Sequence, residues 1–237
     1  MRLLTFITAL SITATATFAQ VSQEEKDALT DLYITTNGEN WVHTWDLNEP
    51  VKTWHGITVK DNNVVEINLL FNNLNGEIPT SVGNLEHLEK LELSFNKLSG
   101  EIPTTVGNLE DLKVFAVNGN QLEGVIPSSF GQLSNLEQLH LSSNSLEGTI
   151  PVAIGNLENL EVLNLFDNNL GGTIPYALVG SESLKKLVIA ENEITNTEAF
   201  AEVLLFEKDV DNPAFKNPGT FAPAKTVIAT ETSDDEN

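Results

Sequence analysis

No cysteine occurs anywhere in the 237 residues. That excludes disulfides, thiolate metal sites, cysteine nucleophiles and lipid attachment through an N-terminal cysteine. Basic side chains are scarce as well: 12 lysines and arginines stand against 34 acids, a formal charge of -22. Such a chain repels nucleic acid and anionic membrane, because the phosphate attraction that drives such binding has the wrong sign. A neutral or basic partner suits it better, and the acidity also keeps an exported protein soluble. Beyond the N-terminus no segment stays apolar for the ~18 residues a membrane helix needs, so no membrane insertion is expected. Glycine-rich phosphate loops, zinc spacings, calcium loops and nucleophile elbows are all missing. The sequence therefore offers no cofactor, no metal site and no catalytic residue.

What is present begins with an address. Residues 1–19 read as a cleaved signal peptide, with Arg2 first, an apolar stretch from Leu3 to Ile12, and the small residues Thr17 and Ala19 before Gln20. This predicts a secreted or periplasmic protein. Beyond it there is no Asn-x-Ser/Thr acceptor among the many asparagines, which leans toward a bacterial exporter. Hydrophobic residues make up 41% of the chain, enough for a core.

From Val64 the sequence repeats every 24 residues, with starts at Val64, Leu88, Leu112, Leu136, Leu160 and Leu184. A period of this length is the mark of a repeat architecture. The fourth and sixth positions are apolar in every unit, as in Leu91 and Leu93 or Leu139 and Leu141. Such alternation predicts a half-buried strand whose intervening side chains face solvent. The ninth position is always asparagine: Asn72, Asn96, Asn120, Asn144, Asn168 and Asn192. Buried amides without partners would be prohibitive, so this column implies a hydrogen-bonded ladder between stacked coils. Replacing a middle member by alanine should cost about 1–3 kcal/mol. Next comes Leu-x-Gly-x-Ile-Pro, as at Leu98, Gly100, Ile102 and Pro103. Glycine permits a bend there, and proline ends any short second strand. Gly83, Gly107, Gly131 and Gly155, with Leu85, Leu109, Leu133 and Leu157, then close each coil over a short helical or 3₁₀ return.

Over residues 64–196 this pattern resembles the extracellular plant-type leucine-rich repeat. The resemblance implies an α/β fold: a right-handed solenoid with a parallel concave sheet, on which ligands are recognised. The flanking cysteine pairs of many plant arrays are missing.

Coils bury their apolar faces only against neighbours, so both ends need covers. Residues 20–63 are expected to form the N-terminal cap. Ser22-x-x-Glu25 opens a helix, Ala28, Leu29, Leu32 and Tyr33 form its stripe, and Asn37-Gly38 stops it. Trp41, Trp45 and Trp54 suit apolar cover for the first coil, with a sugar-stacking platform as the competing reading. The Trp54-x-Gly56-Ile57 segment resembles the N-terminal caps of this repeat class. At the other end, residues 197–208 read as an amphipathic capping helix. Residues 209–237 read as a flexible acidic tail, with a brief strand possible at 225–229.

The outward strand positions form a grid of variable columns. One reads Phe71, Phe95, Gly119, Ser143, Asp167 and Glu191; beside it lie Leu70, Ser94, Asn118, Ser142, Phe166 and Ala190; a third reads Asn68, Glu92, Ala116, His140, Asn164 and Val188. Aromatics with no core to fill are interface anchors, or else shields for the strand-to-turn edge. The candidate binding residues are Phe71, Phe95, Glu92, His140, Asn164 and Phe166. A catalytic reading would need His140 with Glu92, Glu137 or Asp167 within hydrogen-bond reach. Five-residue strands in six coils give a face of about 25 by 17 Å. That is on the order of 400 Å², against the ~800 Å² per partner of a stable protein complex. The expected partner is an extracellular peptide, polysaccharide or modest-affinity protein, bound by a monomer. A structural or adhesive envelope role without a discrete ligand is the alternative. Ice binding fits poorly with irregular columns.

Overall fold

The computed structural model describes residues 21–179 and 181–195. The expected signal peptide (1–19), capping helix (197–208) and tail (209–237) all lie outside the described residues. Helix α1 (Gln23–Thr35) is followed by thirteen strands. These are β1 (Ile57–Lys60), β2 (Asn63–Asn68), β3 (Asn75–Glu77), β4 (Lys90–Glu92), β5 (Lys97–Glu101), β6 (Val114–Ala116) and β7 (Gln121–Val125). Then come β8 (Gln138–His140), β9 (Ser145–Thr149), β10 (Val162–Asn164), β11 (Asn169–Thr173), β12 (Lys186–Val188) and β13 (Glu193–Thr195). A four-residue helix, α2 (Tyr176–Val179), falls between β11 and β12.

Two sheets run the length of the solenoid. The first has seven strands in the order β1-β2-β4-β6-β8-β10-β12, and the second has six in the order β13-β11-β9-β7-β5-β3. All pairs are parallel except β1 with β2, where the cap closes the sheet antiparallel. In the first sheet identical repeat positions lie side by side, so Leu91 pairs with Phe115 and Phe115 with Leu139. The second sheet is staggered by two residues per coil: Glu77 pairs with Ser99, Glu101 with Glu123 and Val125 with Glu147. Its glycines Gly100, Gly124, Gly148 and Gly172 have φ of 72–79°, and a Cβ on each would meet the side chain of the preceding coil. Four 3₁₀ turns, Thr80–Asn84, Thr104–Asn108, Ser128–Gln132 and Val152–Asn156, make the returns in the first four coils, and α2 makes the fifth.

The period-two reading holds at the side-chain level: Ile67, Leu69, Leu91, Leu93, Phe115, Val117, Leu139, Leu141, Leu163 and Leu165 are fully enclosed. The strands of the first sheet's repeats are shorter than expected. From β4 onward each has three residues, not five: the strand ends at the fifth position, although amides at the sixth and eighth, such as those of Leu93 and Phe95, still donate to the next coil.

At the N-terminal end the three tryptophans are 4–5% exposed, so they cannot form a sugar platform; that reading is overturned. They pack on one another as apolar cover: Trp41 meets Trp45 edge to face with centroids 4.8 Å apart, and Trp45 stacks on Trp54, also at 4.8 Å. Each indole N–H donates to a backbone carbonyl, of Thr36, His55 and Glu49 in turn. Glu25 does two jobs. One carboxylate oxygen accepts from the Ser22 amide at 3.2 Å and closes the capping box. The other accepts from the buried Val64 amide at 2.8 Å, fastening the helix to the first repeat strand.

Candidate functional site

The face begins with what fixes it from below. Asn120 Oδ1 accepts from the Leu98 amide of the preceding coil at 2.9 Å. Its Nδ2 donates to Leu93 O at 3.1 Å and Val117 O at 2.9 Å. Asn96, Asn144, Asn168 and Asn192 repeat the arrangement, each reaching back one coil. Asn72 makes its bonds to the backbone of His43 in the cap.

With the asparagine held inward, the residue before it adopts left-handed backbone. Phe71, Phe95, Ser143, Asp167 and Glu191 have φ between 52° and 57°, and Gly119 has 62°. For non-glycine residues that conformation costs roughly 1–2 kcal/mol each. From Phe71 to Asp167 it is held because each such amide donates across to the next coil, as Phe95 N–H does to Asn118 O at 2.7 Å and Asp167 N–H to Ala190 O at 3.0 Å. The outer column is therefore a row of turn residues, not the end of a strand. Sequence reasoning missed this, since phenylalanine carries no left-handed signal; only Gly119 hinted at it.

The row places Phe71 and Phe95 at 63% and 51% exposure. Their rings stack, with centroids 4.7 Å apart and planes within 11°. A Cβ on Gly119 would lie 2.7 Å from Phe95 Cδ1, so the Phe95 ring occupies the space the next side chain would take. Leu70 is exposed beside this pair, and Phe166 is 36% exposed three coils further along.

The other columns are less open than the alternation suggested. Ala116 and Ser94 are only 2% exposed, because short side chains sit below longer neighbours. Several polar residues are engaged with the scaffold. The amide at the seventh position has left the sheet and needs an acceptor. Glu92 supplies one to Ser94 N–H at 3.0 Å, and Asn164 supplies one to Phe166 N–H at 3.2 Å. Where the fifth position is Ala116 or His140, the preceding coil substitutes. Ser94 Oγ accepts from Asn118 N–H at 3.1 Å, and Asn118 Oδ1 accepts from Ser142 N–H at 3.0 Å. Ser94, Asn118 and Ser142 thus form a second, surface ladder, legible only by comparing positions 24 residues apart.

His140 is half-buried at the centre of the face, with Nε2 3.1 Å from Gln138 Oε1. Burial holds its pKa below the ordinary 6.5; Glu92 pulls it up and Lys186 pushes it down. Neither Glu92, Glu137 nor Asp167 is hydrogen-bonded to the imidazole, so no acid–base pair is assembled at His140. Among the described residues no group of three or more His, Cys, Asp or Glu is placed to hold a metal, and no helix is long and apolar enough to cross a membrane.

The family profile described as "Leucine-rich repeat region" matches residues 64–205. The chain belongs to the leucine-rich-repeat family. Solved structures of similar fold include plant receptors and a plant ice-binding protein. The PEPR1–AtPEP1 structure is 28% identical with a TM-score of 0.66 over 73% of this chain and 25% of that one. The plant peptide hormone receptor RGFR1 in complex with RGF2 is 35% identical, TM-score 0.53, over 54% of this chain and 20% of that one. The leucine-rich-repeat ectodomain of the receptor kinase SOBIR1 from Arabidopsis thaliana is 25% identical, TM-score 0.64, over 75% and 97%. This leucine-rich-repeat chain thus spans a quarter or less of the first two but nearly all of the third. Among curated proteins none matches the sequence. The likeness to these structures is one of fold.

Proposed function

We propose that the protein is a secreted or periplasmic, non-enzymatic binding module that recognises an extracellular protein, peptide or glycan on its seven-stranded face. It acts as a monomer after loss of residues 1–19. The absence of cysteine and of glycosylation acceptors supports an exported bacterial member of the family. One observation carries the reading: two phenyl rings stacked in the open, each on a backbone conformation unfavourable for phenylalanine. A side chain that serves neither core nor turn is explained by a partner that covers it. Phe71, Phe95 and Phe166 would supply apolar contact. Glu92, Asn164 and His140 would contribute the acceptors and donors their scaffold bonds leave free. The RGFR1 structure, with its bound RGF2, supports a peptide or protein as the partner class.

The experiment is a screen of the purified chain on peptide and glycan arrays, repeated with Phe95→Ala and Phe166→Ala. Binding that both substitutions weaken supports recognition on this face. A folded protein that binds nothing would instead favour the structural, adhesive role, and one that binds equally well without either ring would move recognition away from these phenylalanines.

A further inference from the structure

The outer turn row is not uniform along its length, and its gradient names a partner. From the cap onward it reads Phe71, Phe95, Gly119, Ser143, Asp167 and Glu191. Because all six share one left-handed φ, their side chains leave successive coils in the same way and form a single line. The first third is apolar, and Leu70 widens it. The middle is low, carrying only glycine and serine. The last third is acidic and exposed, and neither Asp167 nor Glu191 forms an ion pair among the described residues. The exposed Phe166 ring lies next to Asp167 in the chain.

Exposed carboxylates of this kind attract a cation: a guanidinium or ammonium group can hydrogen-bond them. At the other end the stacked rings take a large apolar side chain. Coils spaced ~4.8 Å apart put Phe95 about 14 Å and Phe71 about 24 Å from the acidic ends, and an extended chain covers ~3.3 Å per residue. Resting on the face reading above, we infer that the row is a track for an extended peptide. The peptide carries a large apolar side chain at one end and an arginine or lysine about four to seven residues away at the other. The formal charge of -22 favours such a peptide over an acidic one, whether protein or glycan.

The test uses the full chain on an array of random synthetic octapeptides, with the strongest binder then titrated in solution by fluorescence anisotropy. Enriched peptides should pair an apolar side chain with arginine or lysine at that spacing. The double substitution Asp167→Asn, Glu191→Gln should weaken the strongest binder about tenfold or more and flatten its salt dependence. Both positions are exposed, so an unchanged urea midpoint would show that the fold is intact. Enriched peptides without a cation, or a double variant that binds as tightly as the parent, would sink the track. The face reading would survive either result if Phe95→Ala still weakened binding. A protein that captures glycans through Phe95 and no peptide also overturns the track alone, whereas a protein that captures neither overturns both.

Discussion

Asn120→Ala probes the interior ladder most directly. The substitution removes one acceptor and one donor group from the junction of the second and third coils. The losses are unequal. Leu93 O and Val117 O each keep a second amide donor, from Asn96 at 2.9 Å and Asn144 at 3.1 Å. The Leu98 amide, bonded to Asn120 Oδ1 at 2.9 Å, keeps nothing. A stranded buried N–H costs about 1–3 kcal/mol, and each thinned carbonyl adds a fraction of that, so about 2–3 kcal/mol is expected. With a urea slope near 2 kcal/mol per molar, the midpoint should fall by roughly 1 M. Gln121→Ala, next in the chain and exposed, is the control and should shift it little. Asn120→Asp separates the two halves of the amide. It keeps an acceptor for Leu98 but turns a carboxylate toward the carbonyls of Leu93 and Val117, which raises its folded-state pKa above the free ~3.9, so its penalty should shrink as pH falls toward that value. A midpoint for Asn120→Ala matching that of Gln121→Ala, with slopes equal, would refute the ladder as a source of stability.

Glu25→Ala strands the Val64 amide and opens the capping box, which should cost about 2–3 kcal/mol and lower the melting temperature by roughly 5–10 °C in scanning calorimetry; exposed Glu24→Ala should do neither. Gly56 and Gly148 have φ of 76° and 79°, but a Cβ on Gly56 would meet the Asn68 carbonyl oxygen at 2.1 Å, while one on Gly148 meets only Val125 Cγ1 at 3.1 Å. Gly148→Ala should therefore lose ~1 kcal/mol and Gly56→Ala more than ~4 kcal/mol by urea titration, and equal losses would contradict the packing. Burial lowers the His140 pKa in the folded protein, so the unfolded chain takes up its proton first as pH falls through 6.5, and stability drops from there down to the lowered value. His140→Gln should reduce the difference in urea midpoint between about pH 7.5 and about pH 5, with His55, whose pKa burial and His43 also lower, leaving a residual slope; an undiminished difference would count against burial of the imidazole.

The repeat was legible because its signals are local and restated from coil to coil. Leucine alternation, the invariant asparagine and the Gly-x-Ile-Pro bend each depend on a few neighbouring residues, and all sit where the sequence placed them. The site was legible in part. The three exposed phenylalanines were visible as residues with no core to fill, but their backbone was not, because the left-handed turn is imposed by amides pinned to the next coil. The burial of Ala116 and Ser94 was hidden for a similar reason: it depends on the length of side chains one coil away. The Glu25–Val64 bond joins positions 39 residues apart, and nothing in the helix pattern announces its second partner.

The left-handed turns separate chemistry from architecture. Each coil meets the same backbone strain there whatever non-glycine side chain it carries, and the bonds that offset the strain come from main chain and from the asparagine beneath. Letters in that row can therefore be exchanged with little effect on folding, apart from position 119, where bulk would displace the neighbouring ring. The solenoid is in this sense a fixed spool with a rewritable label, and new specificities can be installed one coil at a time.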